Sequence, residues 1–174
     1  MQAAHQADEL RGKARALRDA VRTHGWNSLD AARGRIYIML DVRDAVSNVY
    51  RDGHASLAGR AIFGWYPDDQ PESAIQIVQD PLVDGAKIST WMKQGVIVRT
   101  RTDANTVEAR AGDYRKARAA MDSGAQALST DYYPGAPDPL RRGFSVTLPD
   151  GAMARCNPVR VVAGCAALPC VCAD

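Results

Sequence analysis

The sequence has almost no excess of either charge and no long apolar run. Its 22 Lys and Arg residues against 20 Asp and Glu give a formal net charge of +2, which is too small to favour nucleic acid or an anionic membrane as a partner. No stretch has the roughly 18 apolar residues of a membrane span, and residues 1–10 become polar too early for a signal peptide. We therefore expect no membrane span and no export signal in this chain.

Histidine is scarce, and cysteine is confined to the carboxyl-terminal tail. The three histidines are His5, His24 and His54, and their polar surroundings favour surface positions over catalysis. The four cysteines are Cys156, Cys165, Cys170 and Cys172. An even number in a loop-rich tail favours disulfides and an oxidising compartment. We assign no metal ligand, because Cys170 and Cys172 lack the two-residue gap of most zinc knuckles.

The 174 residues, 46% of them hydrophobic, are enough for one domain over 1–174 with a sizeable core. Apolar residues at helical spacing predict helices over 8–23, 84–94 and 106–122. Short apolar runs predict strands over 35–41, 60–66, 96–103 and 125–133, with a shorter candidate over 74–80. We therefore assign residues 8–133 to βα units of a parallel sheet and residues 134–174 to a loop, hairpin and Cys-rich tail.

Three local patterns make these predictions more specific. The unbroken apolar run over 35–41 predicts a strand that is covered on both faces. Asn105, with Glu108 three positions later, predicts a capping box at the start of the helix over 106–122. Segment 144–158 is compatible with a short hairpin.

Charged residues occupy the ends of several otherwise apolar strands. They are Asp41, Arg99, Arg101, Asp103 and Asp131. In parallel α/β folds the carboxyl ends of the strands form the ligand face. Two arginines on one face of a strand could bind a phosphate or a carboxylate, while the acids orient them, bind a cation or handle a proton. A structural ion-pair network is the alternative interpretation, and the sequence pattern alone leaves both open.

Four stretches of the sequence, taken together, resemble one enzyme family. They are GWNSLDAARGRIYIMLD, LAGRAIF, GVIVRTRTDANTVEARAGDYRKARAAMDSGAQALSTDYY and ARCNPV. They resemble the calcium-dependent phosphoinositide-specific phospholipase C family, a group of phospholipase-C-like phosphodiesterase barrels, over residues 8–157. The resemblance implies a TIM-type barrel, of which the carboxyl-terminal half is matched. The expected fold is α/β, a partial (β/α) barrel of about the last four strands with an irregular Cys-containing tail.

The resemblance implies a phosphoric diester hydrolase that cleaves the glycerol-side phosphodiester of phosphoinositides, with calcium as cofactor. Family motifs similar to THNSY and E-x-D, which supply the catalytic histidines and the metal carboxylates, do not occur in this sequence. The catalytic residues are therefore unknown, and the calcium ligands are expected in the missing amino-terminal half. The family also implies a secreted or extracytoplasmic protein and a disulfide between Cys156 and Cys165.

The resemblance assigns roles to the residues at the strand ends. Arg99 and Arg101 are expected to recognise the phosphate or the inositol ring of a phosphoinositide head group. Asp103 and Asp131 are expected to orient them or to accept hydroxyl groups. The other candidates are Asp41 for substrate binding and Tyr132 or Tyr133 for packing at the rim. Contact with a membrane surface is expected to be transient at most.

Two alternatives remain open. The chain could be a non-catalytic remnant or a half-barrel binding module that forms homo-oligomers through open strand edges. A glycerophosphodiester phosphodiesterase-like activity is the second alternative, and the RTRTD segment argues mildly against it, because those enzymes usually carry an aromatic-Thr segment there.

The absence of the histidine and carboxylate motifs generates a prediction about activity. We expect the purified chain to hydrolyse phosphatidylinositol no faster than background, with or without calcium, because the general acid and base are not supplied. Release of inositol phosphate from labelled vesicles measures this. Turnover that Arg101→Ala abolishes would contradict it.

Overall fold

The computed structural model of the protein describes residues 7–138, 141–160 and 165. The helices are α1 (Ala7–Arg11), α2 (Leu17–Thr23), α3 (Leu29–Ala32), α4 (Ala45–Arg51), α5 (Pro81–Lys93), α6 (Val107–Ala111) and α7 (Arg115–Asp122). The strands are β1 (Met39–Leu40), β2 (Phe63–Gly64), β3 (Ile75–Val78), β4 (Ile97–Arg101) and β5 (Ala127–Ser129). Within the described ranges no helix is long and apolar enough to cross a membrane.

Two sheets organise the chain, with strand orders β1-β2 and β3-β4-β5. β1 is parallel to β2, and β4 is parallel to β5. The amide of Ile97 donates to the carbonyl of Ala74 (3.1 Å), and the hydroxyl of Thr100 donates to the carbonyl of Val78 (2.9 Å), so β3 and β4 also run in the same direction. The predicted α/β class with parallel strands is confirmed. Among the described residues the sheets do not close into a barrel.

The chain divides into two compact units, the first made of Met1–Ile77 and Gln94–Ile97 and the second of Val78–Lys93 and Val98–Asp174. In the first unit, α1, α2 and the strands enclose a core that contains Leu17, Val21, Phe63, Tyr66 and Ile75. In the second unit, α5 packs on α7, and the Ser89 hydroxyl donates to the Ser123 carbonyl (2.7 Å). The single domain over 1–174 and the boundary at residue 134 stay predictions.

The apolar run over 35–41 is covered on one face only, so the prediction that both faces are covered is wrong. Tyr37 packs edge-on against Trp26 and lies 5.8 Å from the ring of Phe63. On the opposite face, the exposed fractions of Ile36 and Ile38 are 55% and 47%. The second face is open because no described element packs against it.

Each of two predicted long helices is split in two at a glycine. Residues 8–23 form α1 and α2, because Gly12 takes φ +55° and ends the first helix. Residues 106–122 form α6 and α7, and Gly112 takes φ +62° at the end of α6. The predicted capping box is also wrong. Asn105 adopts φ +52°, and the Glu108 carboxylate accepts a hydrogen bond from the amide of Ala104 (2.8 Å).

The tail belongs to the second unit, and its described residues do not form the predicted hairpin. Its ordered contacts include a stack of Phe144 on Tyr114, with ring centroids 4.5 Å apart. A disulfide joins Cys156 to Cys165 and confirms the pairing implied by the family resemblance. Cys170 and Cys172 lie outside the described residues.

The disulfide generates a prediction about stability. It closes a loop with a sequence separation of nine residues, and a loop of that size stabilises the folded chain by about 2 to 3 kcal/mol through lost entropy of the unfolded state. We expect Cys156→Ser to lower the free energy of unfolding by that amount in urea titrations under oxidising conditions. Equal stability of the variant and the wild type would contradict this.

Candidate functional site

Strand β4 has one buried face and one basic, partly exposed face. The side chains of Val98 and Thr100 are fully buried, whereas Arg99 and Arg101 between them are partly exposed. Side chains alternate between the two faces of a strand, so both guanidinium groups lie on the same side of the sheet. The predicted placement of two arginines on one face of this strand is confirmed.

The neighbouring strand leaves space beside these arginines. Arg99 is paired in register with Ala127, and Arg101 with Ser129. Register partners in a parallel pair have side chains on the same side of the sheet, so only small side chains of β5 share that side. We call these four residues, Arg99, Arg101, Ala127 and Ser129, the arginine face.

The two arginines differ in their partners. Arg101 forms an ion pair with Asp131, with 3.4 Å between Nη2 and Oδ2, and the Asp131 side chain is 70% exposed. The Arg99 backbone pairs with β5, but within the described part of the chain its side chain has no hydrogen bond or ion pair. A pair with so exposed a carboxylate is weak and easily exchanged. The arginine face therefore has more positive charge than its one carboxylate neutralises.

Asp103 is buried beside this face and is only 1% exposed. Its Oδ2 atom lies 2.8 Å from the hydroxyl of Thr102 and 2.5 Å from that of Thr130. Its Oδ1 atom accepts a hydrogen bond from the amide of Asp131 at 3.1 Å. Neutral donors thus satisfy the carboxylate, which ties the end of β4 to the end of β5. The expected role of Asp103 in orienting Arg99 and Arg101 stays a prediction, because the contacts of its carboxylate are with two hydroxyls and one amide.

The two tyrosines after β5 lie in different environments. Tyr132 is buried, meets Phe144 edge-on with centroids 5.3 Å apart, and accepts a hydrogen bond through its carbonyl from the amide of Val146. Tyr133, the next residue, is 56% exposed. Tyr132 therefore has a packing role, and Tyr133 lies at the surface.

Asp41 belongs to the first unit, where it follows β1 and is exposed. This unit also holds a polar group that the sequence pattern did not predict. Arg43 stacks on the Trp65 ring (4.7 Å to the centroid), and its Nη2 lies 3.5 Å from Oε1 of the buried Gln76. Arg43 and Trp65 each follow a strand, so position at a strand end was the signal that could have identified them.

Glu72, also in the first unit, belongs to a network of hydrogen bonds in the core. The buried Glu72 carboxylate accepts hydrogen bonds from Arg51 and from the amide of Ser56, both at 3.1 Å. Burial, and to a lesser extent the charge of Glu72, raises the pKa of the Tyr66 phenol. The Tyr66 hydroxyl donates to the Ser47 carbonyl at 3.1 Å. These groups satisfy one another, as expected of a core network.

The two described histidines, His24 and His54, both lie outside the β-strands. His24 ends helix α2, and His54 lies in a loop, with Nδ1 2.8 Å from the Ala58 carbonyl. His5 lies outside the described residues. Over residues 7–138, 141–160 and 165, no group of three or more His, Cys, Asp or Glu side chains could hold a metal ion. The described residues therefore do not fit a calcium site, and we assign no step to calcium.

One protein family matches most of the chain. The family model described as "Phosphoinositide phospholipase C, Ca2+-dependent" matches residues 3–158. The chain belongs to this family. No curated protein sequence matches the chain.

A solved structure has the same fold as this member of the calcium-dependent phosphoinositide phospholipase C family. It is a Ca²⁺-dependent phosphatidylinositol-specific phospholipase C enzyme from Streptomyces antibioticus, with a TM-score of 0.53 and 15% sequence identity. The match covers 75% of this chain and 54% of that chain. The chain therefore spans about half the length of the solved enzyme.

The buried Asp103 carboxylate generates a prediction about stability. We expect Asp103→Ala to lower the free energy of unfolding by about 3 kcal/mol, because it leaves the Thr130 hydroxyl and the Asp131 amide without their acceptor. The Thr102 hydroxyl can still donate to the Ser129 carbonyl at 3.1 Å. We expect the control Asp131→Ala to cost about 0.5 kcal/mol, since it removes only an exposed ion pair. Urea denaturation of both variants tests this. Equal losses would show that Asp103 does not hold the strand ends together.

Proposed function

We propose that this chain binds the phosphorylated inositol head group of a phosphoinositide through Arg99 and Arg101, as the head-group-binding part of a phospholipase-C-type phosphodiesterase. The observation that carries the proposal is the arginine face, where two guanidinium groups share one side of β4 and, among the described residues, only the exposed Asp131 opposes them. Arginine remains charged at any physiological pH, and its planar fork matches the geometry of phosphate oxygens.

The alternative, a structural ion-pair network, requires carboxylates that neutralise the two arginines. The buried carboxylate nearby, Asp103, is instead bound by hydroxyls and an amide. The exposed carboxylate, Asp131, lies 3.4 Å from Arg101, so a phosphate with shorter contacts could displace it. The charge balance therefore favours an anionic ligand over a closed network.

Each residue then has a defined part in binding. Arg99 and Arg101 hold the phosphoryl oxygens, and in a phosphodiester cleavage they would stabilise the charge that develops on them. Asp131, released from Arg101, accepts a hydrogen bond from a hydroxyl group of the inositol ring. Asp103 acts through Thr130 and the Asp131 amide and is a positioning residue.

We also propose that the chain acts in an extracytoplasmic compartment, in line with its family resemblance. The Cys156–Cys165 disulfide supports this proposal, because disulfides persist mainly in oxidising environments.

Calorimetric titration with inositol 1-phosphate tests the head-group proposal. We expect binding to the wild type and a loss of about tenfold or more in affinity for Arg99→Ala and for Arg101→Ala, since each removes charged hydrogen bonds to phosphate. Arg115→Ala is the matched control. It removes a surface arginine of the same unit that is paired with Asp113 at 2.7 Å, and it should bind as the wild type does.

Two results would oppose the proposal. One is the absence of binding to the wild type. The other is an equal effect of Arg99→Ala and Arg115→Ala, which would show that net charge alone attracts the phosphate.

A further inference from the structure

A cavity of about 580 Å³ lies in the second unit, and Thr102, Leu128 and Thr130 are among the residues that line it. Leu128 is the register partner of Thr100, which is buried on the face of β4 that does not carry the two arginines. Register partners in a parallel pair have side chains on the same side of the sheet, so Leu128 points away from the arginine face. The cavity is therefore separate from the head-group site proposed above.

One wall of the cavity is a segment of the tail, residues 146–158, which we call the tail arch. At its first end, the amide of Val146 donates to the Tyr132 carbonyl (2.7 Å). At its other end, the side-chain amide of Asn157 donates to the Gly124 carbonyl (2.7 Å). The tail arch is thus anchored at both ends, and the cavity lies between it and β5.

The lining of the cavity is largely apolar. Its apolar side chains include Met121, Leu128, Val146, Leu148, Met153 and Pro158. Among the described residues that line it, Arg155 is the charged one, and its guanidinium donates to the Met121 carbonyl and lies 3.9 Å from the Asp122 carboxylate. The guanidinium therefore anchors the tail arch, and burying an ionised ligand against the apolar side chains would be costly.

Two large apolar side chains that line the cavity remain exposed to water. The exposed fractions of Met153 and Tyr133 are 76% and 56%. A ligand in the cavity would remove part of this apolar surface from water, which is favourable, and the flexible thioether of Met153 can adapt to its shape. The volume lies within the range of roughly 300 to 1,000 Å³ that small-molecule sites have. Size and lining together fit a small apolar molecule.

We propose that this cavity is a second ligand site, which takes an uncharged, largely apolar small molecule such as a medium-chain alcohol. The ligand lies between Leu128 of β5 and the tail arch, and Met153 packs against it. This inference does not depend on the head-group proposal, because the lining of the cavity and the arginine face have no residue in common.

Fluorescence titration of the full chain with N-phenyl-1-naphthylamine, an uncharged aromatic probe, tests this proposal. We expect saturable binding, and a loss of about tenfold in affinity for Met153→Asp, because covering a carboxylate with an apolar ligand is costly. Val83→Asp is the matched control, since Val83 is 78% exposed in the same unit and lies outside the cavity. It should bind the probe as the wild type does. Circular dichroism of each variant confirms that the fold is retained.

Competition experiments separate this site from the head-group site and test the class of ligand. We expect n-decanol to displace the probe and inositol 1-phosphate to leave it bound, and Arg101→Ala should bind the probe as the wild type does. Displacement by inositol 1-phosphate would assign the probe to the arginine face and overturn the second site. Absence of saturable binding, or equal losses for Met153→Asp and Val83→Asp, would also overturn it. Displacement by decanoate as strong as that by n-decanol would overturn the preference for an uncharged ligand.

Discussion

The geometry of the candidate site depends on the hydrogen bonds that the Asp103 carboxylate accepts. This carboxylate joins the ends of β4 and β5 by accepting hydrogen bonds from the Thr130 hydroxyl and the Asp131 amide. A buried carboxylate is costly unless its oxygens are satisfied, and here three neutral donors surround it. The position of Asp131 beside Arg101 follows from this constraint, because the chain turns immediately after Thr130. The site is thus held by a group that no ligand can reach.

The sequence predicted the side-chain pattern of β4 well, because alternation along a strand is a local property. Arg99 and Arg101 fall on one face and Val98 and Thr100 on the other, as the period of two requires. The same alternation could not predict that Asp103 is buried. Its partner Thr130 is 27 residues away, and a carboxylate at a strand end has the same local pattern whether it meets solvent or hydroxyls. Contacts between distant segments determine which of these occurs.

The errors in the fold have local causes of a different kind. Apolar spacing continues through Gly12 and Gly112, but each glycine takes a positive φ that ends a helix. The spacing shows which residues face the core and does not show where the backbone turns. The prediction that both faces of the run over 35–41 are covered was wrong for a different reason. Ile36 and Ile38 remain about half exposed. An apolar run indicates a tendency to be buried, but it does not show whether another element packs on each face.

Family membership and the arginine face support different parts of the functional argument. Membership places the chain in the calcium-dependent phosphoinositide phospholipase C family, but it assigns no contact to any residue. The assignment of a phosphate to Arg99 and Arg101 comes instead from charge. Asp103 is occupied by neutral donors. In the part of the chain that the structure describes, Asp131 is the carboxylate paired with these arginines, and its side chain is 70% exposed. An anion that contacts both guanidinium groups would replace one exposed ion pair with two charged contacts.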